Sequence, residues 1–151
     1  MGTFDYTYSE RQRDTNDELY KRFFLLDPVA DVTFVIGAEV VGTPDTINVA
    51  VQVGDIRDTA LEDTIILEVW LSDDADGNAL TAGVPDGDVL IGTDGTILVE
   101  HTADAHFMIK TDDEGKFDLD VGHDADGSNW YLAVRLPNGR IVVSPILDFA
   151  A

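Results

Sequence analysis

From Asp31 onward, short runs of β-branched and aromatic residues alternate with clusters of Gly, Asp, Asn and Pro. Runs of this length are typical of single strands, and the clusters between them are typical of turns. The pattern predicts strands over residues 32–41, 46–54, 64–72, 88–91, 96–100, 105–111, 116–121, 129–136 and 140–148. This spacing is typical of a sandwich or a barrel, and of the two we expect an all-β sandwich, immunoglobulin-like and antiparallel, with about eight strands.

Alternation along the runs predicts which side chains are buried. Residues 47–53 and 117–121 alternate apolar and polar side chains, so one face of each strand would be apolar and the other solvated. The residues that we expect in the core are Ile47, Val49, Val51, Ile65, Leu67, Val69, Leu132, Val134, Ile141 and Val143. Asn138-Gly139, between two runs, predicts a type I′ hairpin turn, because both central positions of that turn need positive φ.

The first thirty residues differ from the rest in charge and pattern. Residues 1–30 contain six acidic and four basic residues, a net charge of −2, which leaves −19 of the chain's −21 on residues 31–151. Thr15-Asn-Asp-Glu18 fits a capping box, and apolar residues follow at helical spacing until Asp27-Pro28. We predict an N-terminal arm at residues 1–30, containing a short helix, and an acidic β-sandwich domain at residues 31–151, called the body below.

Aromatic and cationic residues are concentrated in the arm. It holds six of the 13 aromatic residues and four of the nine cations. Aromatic and arginine side chains are enriched at the energetic centres of interfaces. We therefore predict partner binding by Phe4, Tyr6, Tyr8, Arg11, Arg13, Tyr20, Lys21, Arg22, Phe23 and Phe24. The alternative is that a helix at residues 15–26 folds back and closes an open end of its own sandwich.

Charge and composition narrow the classes of partner. With 30 acidic against 9 basic residues, nucleic acid and anionic membranes would be repelled by the chain. No apolar run approaches the length of a membrane-spanning helix, and the first thirty residues lack the apolar region of a secretory signal. We therefore expect synthesis in the cytoplasm. The chain has no cysteine, which excludes disulfides and thiolate metal sites.

Three histidines, His101, His106 and His123, are the candidates for proton transfer near neutral pH. None lies beside a serine, a cysteine or a paired acid in a known catalytic spacing, so we interpret them as ordinary strand-end or loop residues. Trp70 and Trp130 fall inside predicted strands, and we expect both to be core residues whose indole N–H needs a partner. We predict no enzymatic activity and no cofactor.

Two Asp-Ala-Asp-Gly stretches, at residues 74–77 and 124–127, suggest calcium because hard cations bind clustered carboxylates. An EF-hand loop would need glycine at its sixth position and glutamate at its twelfth. The residues at those positions are Ala79, Pro85, Asn129 and Arg135. We interpret both stretches as turns and predict no metal site. The glycines within residues 81–96 precede no predicted helix, so they also indicate turns.

Three stretches carry a resemblance to a known family. They are Leu67-Glu-Val-Trp-Leu-Ser-Asp-Asp-Ala-Asp-Gly77, Gly87-Asp-Val-Leu-Ile-Gly-Thr-Asp-Gly95, and Trp130-Tyr-Leu-Ala-Val-Arg-Leu-Pro-Asn-Gly-Arg-Ile-Val-Val143 with the Phe149-Ala end. Over residues 32–150 the chain resembles small structural or head-decoration proteins of tailed-bacteriophage virions. The resemblance implies a particle component with no catalytic residues to transfer. It implies nothing for the arm, to which the resemblance does not extend.

We therefore predict a capsid decoration, or cement, protein on the outside of an assembled phage head. Its arm would contact the major capsid protein, and the chain would form a dimer or trimer on the capsid surface. The alternative is an immunoglobulin-like module of a phage tail or fibre that binds host carbohydrate or another tail protein through its loops. The number of copies per virion separates the two, because a head carries hundreds and a tail a handful.

Overall fold

The computed structural model describes residues 29–124 and 127–150, and the predicted helix and the partner-binding residues lie outside them. The described residues form ten strands and no helix, so none of them builds a helix able to cross a membrane. The strands are β1 (Asp31–Ile36), β2 (Asp45–Gly54), β3 (Ile66–Ser72), β4 (Val89–Ile91), β5 (Thr96–Thr102), β6 (His106–Lys110), β7 (Lys116–His123), β8 (Ser128–Arg135), β9 (Ile141–Val143) and β10 (Leu147–Phe149).

Two antiparallel sheets pack against each other, which confirms an all-β sandwich. The first sheet has the strand order β1-β2-β7-β4. In β2 and β7 the apolar members of the alternating pattern point inward, and side chains such as Val49 and Leu119 are fully buried. The second sheet has the order β10-β8-β3-β6-β5, with β9 also beside β8. Inward-facing residues from both sheets form one core.

The predicted strand at residues 140–148 is wrong in its continuity. It is divided into β9 and β10, which pair with different parts of β8. Pro145 has no N–H to donate to a ladder, so regular pairing stops there. The hydroxyl of Ser144 takes over: its Oγ accepts a hydrogen bond from the Leu132 N–H at 2.9 Å and donates to the Pro145 carbonyl at 2.7 Å.

The predicted core is confirmed for seven of its ten residues, which are at most 2% exposed, and Ile65 is half-buried against the same cluster. The assignment of Ile141 and Val143 is wrong, because Val142 is the β9 residue that packs on the core. Ile141 and Val143 face the other side of the sheet. There they lie beside Gly77, in the long connection between β3 and β4.

The hairpin between β8 and β9 is confirmed, but its predicted type I′ turn is wrong. The Gly139 N–H donates to the Leu136 carbonyl at 2.9 Å, so Pro137 and Asn138 occupy the centre of the turn. Gly139 has φ +87°, whereas Asn138 is not in the positive region. Pro137 fixes φ near −65°, which suits the first central position of a type I turn, and a glycine at positive φ then completes a three-residue loop.

Candidate functional site

The predicted partner-binding residues of the arm lie outside the described residues, so their geometry stays a prediction. The described chain starts at Val29, which is 1% exposed and belongs to the core. Ala30 follows: its N–H donates to the Gly54 carbonyl at 3.0 Å, and its carbonyl accepts from Nη1 of Arg140 at 3.0 Å. These contacts fix the place where the arm joins the body, at the start of β1 beside the β8–β9 hairpin.

A polar site formed by residues of three strands lies on the outer side of the second sheet. Strand pairing brings Glu68 of β3 next to Arg135 of β8 and Met108 of β6. The Glu68 carboxylate is bound from both sides: Oε2 lies 3.0 Å from Nη1 of Arg135, and Oε1 lies 3.0 Å from Nε2 of His106. One carboxylate thereby fixes two side chains on neighbouring strands.

Two of the three histidines meet at this site. The rings of His101 and His106 have centroids 4.8 Å apart and are tilted by 41°. His106 also lies edge-on to Trp70, at 6.4 Å. His101 is exposed at the sheet edge, and His106 is half-buried by the neighbouring strand. Among the described residues, neither imidazole has a serine or threonine hydroxyl as a hydrogen-bond partner, so the pair offers no activated nucleophile there.

Trp70 forms the floor of the site. It is 6% exposed, and its Nε1–H donates to the Gly77 carbonyl at 3.2 Å, because the connection after β3 folds over this side of the sheet. The Arg135 guanidinium stacks above the indole, with Cζ 5.3 Å from the ring centroid. Trp130, on the inner side, donates to the Gly83 carbonyl at 2.9 Å. Both tryptophans are therefore buried with a hydrogen-bond partner, as predicted.

A groove of about 190 Å³ runs across the site. Its lining residues are Glu68, Trp70, Asn78, Leu80, His106 and Arg135. The groove presents the Glu68 carboxylate with the guanidinium and imidazole bonded to it, an amide, and an apolar wall formed by Leu80, which is 41% exposed. These polar groups could form hydrogen bonds with a polar ligand.

His123 ends β7 in the first sheet, so it lies away from that groove and belongs to another site. It is 7% exposed, and its Nδ1 lies 2.6 Å from Oδ1 of Asp86. The ring packs edge-on against Trp130 and Phe149, and its Nε2 is buried without a hydrogen-bond partner among the described residues. The Nδ1 contact therefore orients this imidazole and ties the connection before β4 to the end of β7.

The carboxylate of Asp86 is held in its charged form. The backbone N–H of Asp124 donates to it at 2.7 Å. That hydrogen bond, together with the nearby imidazole of His123, lowers the pKa of Asp86 below its ordinary value of 3.8. Asp86 also lines a wider groove with Asp88, Asp120 and Asp124. Among the described residues, no group of three or more His, Asp or Glu side chains has the spacing to hold a metal ion.

The stretch at residues 74–77 is a turn, as predicted. The Gly77 N–H donates to the Asp74 carbonyl at 2.9 Å, and Gly77 has φ +66°. Oδ1 of Asp74 accepts the Asp76 N–H at 2.9 Å, and Oδ2 accepts from the amide of Asn78 at 3.3 Å. The carboxylate of Asp74 is therefore used within the turn. In the second stretch, residues 125 and 126 lie outside the described residues.

Comparison of the chain with protein-family models, with curated proteins and with solved structures finds no match. The resemblance to phage virion proteins therefore stays a prediction. The geometry adds two residues that sequence reasoning missed, Glu68 and Arg135. They are 67 residues apart in the chain and meet through the register of β3 and β8. No local motif marks either of them.

Proposed function

We propose that this protein is a decoration protein on the outer surface of an assembled phage capsid, with the arm as its anchor to the major capsid protein. The observation that carries the proposal is the contrast within the chain. An arm of net charge −2 holds six aromatic residues and four cations, and it is joined to a body of net charge −19. Aromatic and arginine side chains are enriched at protein interfaces, and a strongly acidic body suits exposure to solvent.

The contacts at the junction between the arm and the body support these separate roles of anchor and exposed domain. Val29 and Ala30 are tied to the body by burial and by hydrogen bonds to Gly54 and Arg140. Because the arm joins the body at this fixed point, binding of the arm to the shell would also keep the body on the shell. Many copies on a symmetric shell add weak contacts into a large stabilisation, because each second contact is effectively intramolecular.

We further propose that the sandwich is immunoglobulin-like. In that fold the first sheet has the order A-B-E-D, and the second contains C, F and G. The order β1-β2-β7-β4 fits A-B-E-D, and β3, β8 and the divided β9–β10 strand fit C, F and G. The β5–β6 hairpin extends the second sheet beside β3, but in the chain it follows β4. Its position after the D strand distinguishes it from the added strands of variable domains, which precede D.

The partners that follow from this proposal are the major capsid protein and further copies of the chain, on the virion surface. Acidic charge argues against nucleic acid and anionic membranes as partners. The outer groove with Glu68, His106 and Arg135 is the place on the body where a ligand would bind under the tail or fibre alternative, and it gives that alternative its best support. In that case a ligand would bind to the body instead of the arm.

Counting copies in purified particles tests the location. We expect hundreds of copies per virion by quantitative mass spectrometry, with the protein exposed on the head in labelled electron micrographs. A handful of copies, located on the tail, would favour the alternative module. Absence from purified particles would overturn both virion assignments.

A second experiment tests the anchor. Heads lacking the protein are mixed with the full chain, with the double variant Arg11→Glu/Arg13→Glu, and with the control Arg57→Glu, which changes an exposed cation of the body. We expect the arm variant to lose most of its occupancy and the control to bind like the parent chain. A truncated chain starting at Val29 should keep its fold and not bind. Undiminished binding by the arm variant and by the truncated chain would show that the anchor lies in the body.

A further inference from the structure

The outer side of the second sheet leaves apolar side chains in solvent next to cations. Cross-strand partners in an antiparallel sheet point to the same side. The pairing of β8, β3, β6 and β5 therefore assembles one surface, here called the mixed face. The mixed face consists of Ile66, Glu68, Val99, Met108, Lys110 and Arg135. Ile66 is 53% exposed and Val99 is 47% exposed.

The charge of the mixed face differs from that of the outer side of the first sheet. It carries two cations, Lys110 and Arg135, against one carboxylate, Glu68, which is already bonded to Arg135 and His106. On the outer side of the first sheet the balance is reversed. There the outward positions of β1, β2 and β7 hold three aspartates, Asp31, Asp118 and Asp120, and one cation, Lys116.

We propose that the mixed face binds the same face of a second copy of this chain across a two-fold axis. Two bodies of net charge −19 repel each other, so they can associate only where acid does not face acid. The mixed face meets that condition and offers apolar area to bury. In a two-fold contact, residues away from the axis meet different residues of the other copy, so Lys110 of one copy can face Glu68 of the other.

The irregular edge strand of the second sheet favours contact between the faces of two copies over extension of the sheet by a strand of another copy. β5 is the edge strand, and its pairing with β6 is irregular at two places, between Ile97 and Val99 and between Glu100 and Thr102. Such irregularities twist an edge away from a flat, extendable ladder. A neighbouring copy would therefore pack against the side chains of the mixed face. It would not add a strand to β5 through backbone hydrogen bonds.

The dimer adds an interface to the proposed function and does not depend on a capsid. Each dimer would present two arms, which strengthens attachment to a symmetric shell through effective concentration. Because dimerisation is measured on the free protein, its failure leaves capsid binding untouched. Failure of capsid binding would equally leave the dimer standing.

Sedimentation velocity on the full chain, from micromolar to submillimolar concentration, tests the inference. We expect a dimer, and we expect Val99→Glu/Lys110→Glu to weaken it by at least about tenfold in Kd. The matched control is Val35→Glu/Lys116→Glu, which makes the same chemical changes on the outer side of the first sheet. Both double variants lower the net charge equally, so a general repulsion would affect them alike. Circular dichroism and thermal melting check that both stay folded.

Three outcomes would overturn the proposal: a parent chain that is monomeric throughout, two double variants that dissociate equally, or a mixed-face variant that stays dimeric. Spin labels give an independent measurement, because the chain has no cysteine of its own. Labels on Val99→Cys should report a shorter distance between copies than labels on Val35→Cys, which lies on the opposite side of the sandwich. The reverse order of distances would place the interface on the first sheet.

Discussion

The side-chain Nδ2 of Asn48 on β2 donates a hydrogen bond of 2.8 Å to Oδ2 of Asp118 on β7. The same nitrogen donates to Oδ1 of Asp120 at 2.7 Å. Asp118 is 6% exposed, and its other oxygen accepts the backbone N–H of Asp94 at 2.7 Å. One amide therefore satisfies two carboxylates of like charge on the outer side of the first sheet.

Asn48→Ala removes that shared donor. We expect a loss of about 1–3 kcal/mol in the free energy of unfolding, because a largely buried carboxylate loses a partner and its repulsion from Asp120 is no longer offset. Urea denaturation at neutral pH measures the loss. The control is Asn78→Ala, which removes an exposed amide bonded to Asp74 at 3.3 Å. It should change stability by about 0.5 kcal/mol or less. Equal losses in the two variants would contradict this account.

The hydrogen bond from the backbone N–H of Asp124 to the Asp86 carboxylate, together with the nearby imidazole of His123, predicts a pH dependence. The folded chain lowers the pKa of Asp86 below 3.8, so the charged carboxylate stabilises the fold above that pH. This contribution is lost as the pH falls through the lowered value. Asp86→Asn should therefore be less stable than the parent chain at neutral pH, and the gap should close as the pH falls well below 3.8. Urea denaturation of both proteins over that range measures the gap, and a gap that is constant with pH would show that the charge is not the cause.

Salt should stabilise the isolated protein. A net charge of −21 on a chain of 151 residues repels itself, and the Debye length falls from about 10 Å at 0.1 M salt to about 3 Å at 1 M. We expect the melting temperature to rise between low salt and 1 M sodium chloride. The same series at acidic pH, where the carboxylates are protonated, is the control and should show a smaller rise. A flat or falling melting temperature near neutral pH would be contrary to the expectation.

Strands could be predicted from the sequence where one side of the sheet is buried and the other is exposed to solvent. In β2, Val49 and Val51 are buried while Asn48 and Gln52 are partly exposed, and the alternation gives the strand and its orientation together. In β9 the prediction of Ile141 and Val143 as core failed because the connection after β3 covers the outer side of the sheet as well. A strand with apolar neighbours on both sides has no alternation to read.

The candidate site was beyond sequence reasoning for a different reason. The bond from Arg135 to Glu68, and the approach of His106 to the same carboxylate, depend on the register between strands that are far apart in the chain. A one-residue shift would send each of these side chains to the other face. The prediction of a type I′ turn at Asn138-Gly139 was wrong for a local reason. Pro137 occupies the first central position of the turn.

Gly77→Ala and Gly139→Ala separate the two reasons for which a position requires glycine. Both glycines have positive φ, +66° and +87°, so alanine at either position costs about 1–2 kcal/mol of backbone strain. At Gly77 a Cβ would also lie 2.8 Å from Cγ2 of Val143 and 3.0 Å from Cβ of Ala133, whereas at Gly139 it would meet nothing within 4 Å. Crowding against a packed sheet adds about 1–3 kcal/mol. We expect Gly77→Ala to lower the free energy of unfolding by that much more than Gly139→Ala, as measured by urea denaturation with an unchanged slope. Equal losses would mean that the connection after β3 gives way without cost. In that case it would not hold Trp70 in place, and the groove above Trp70 would not keep a fixed shape.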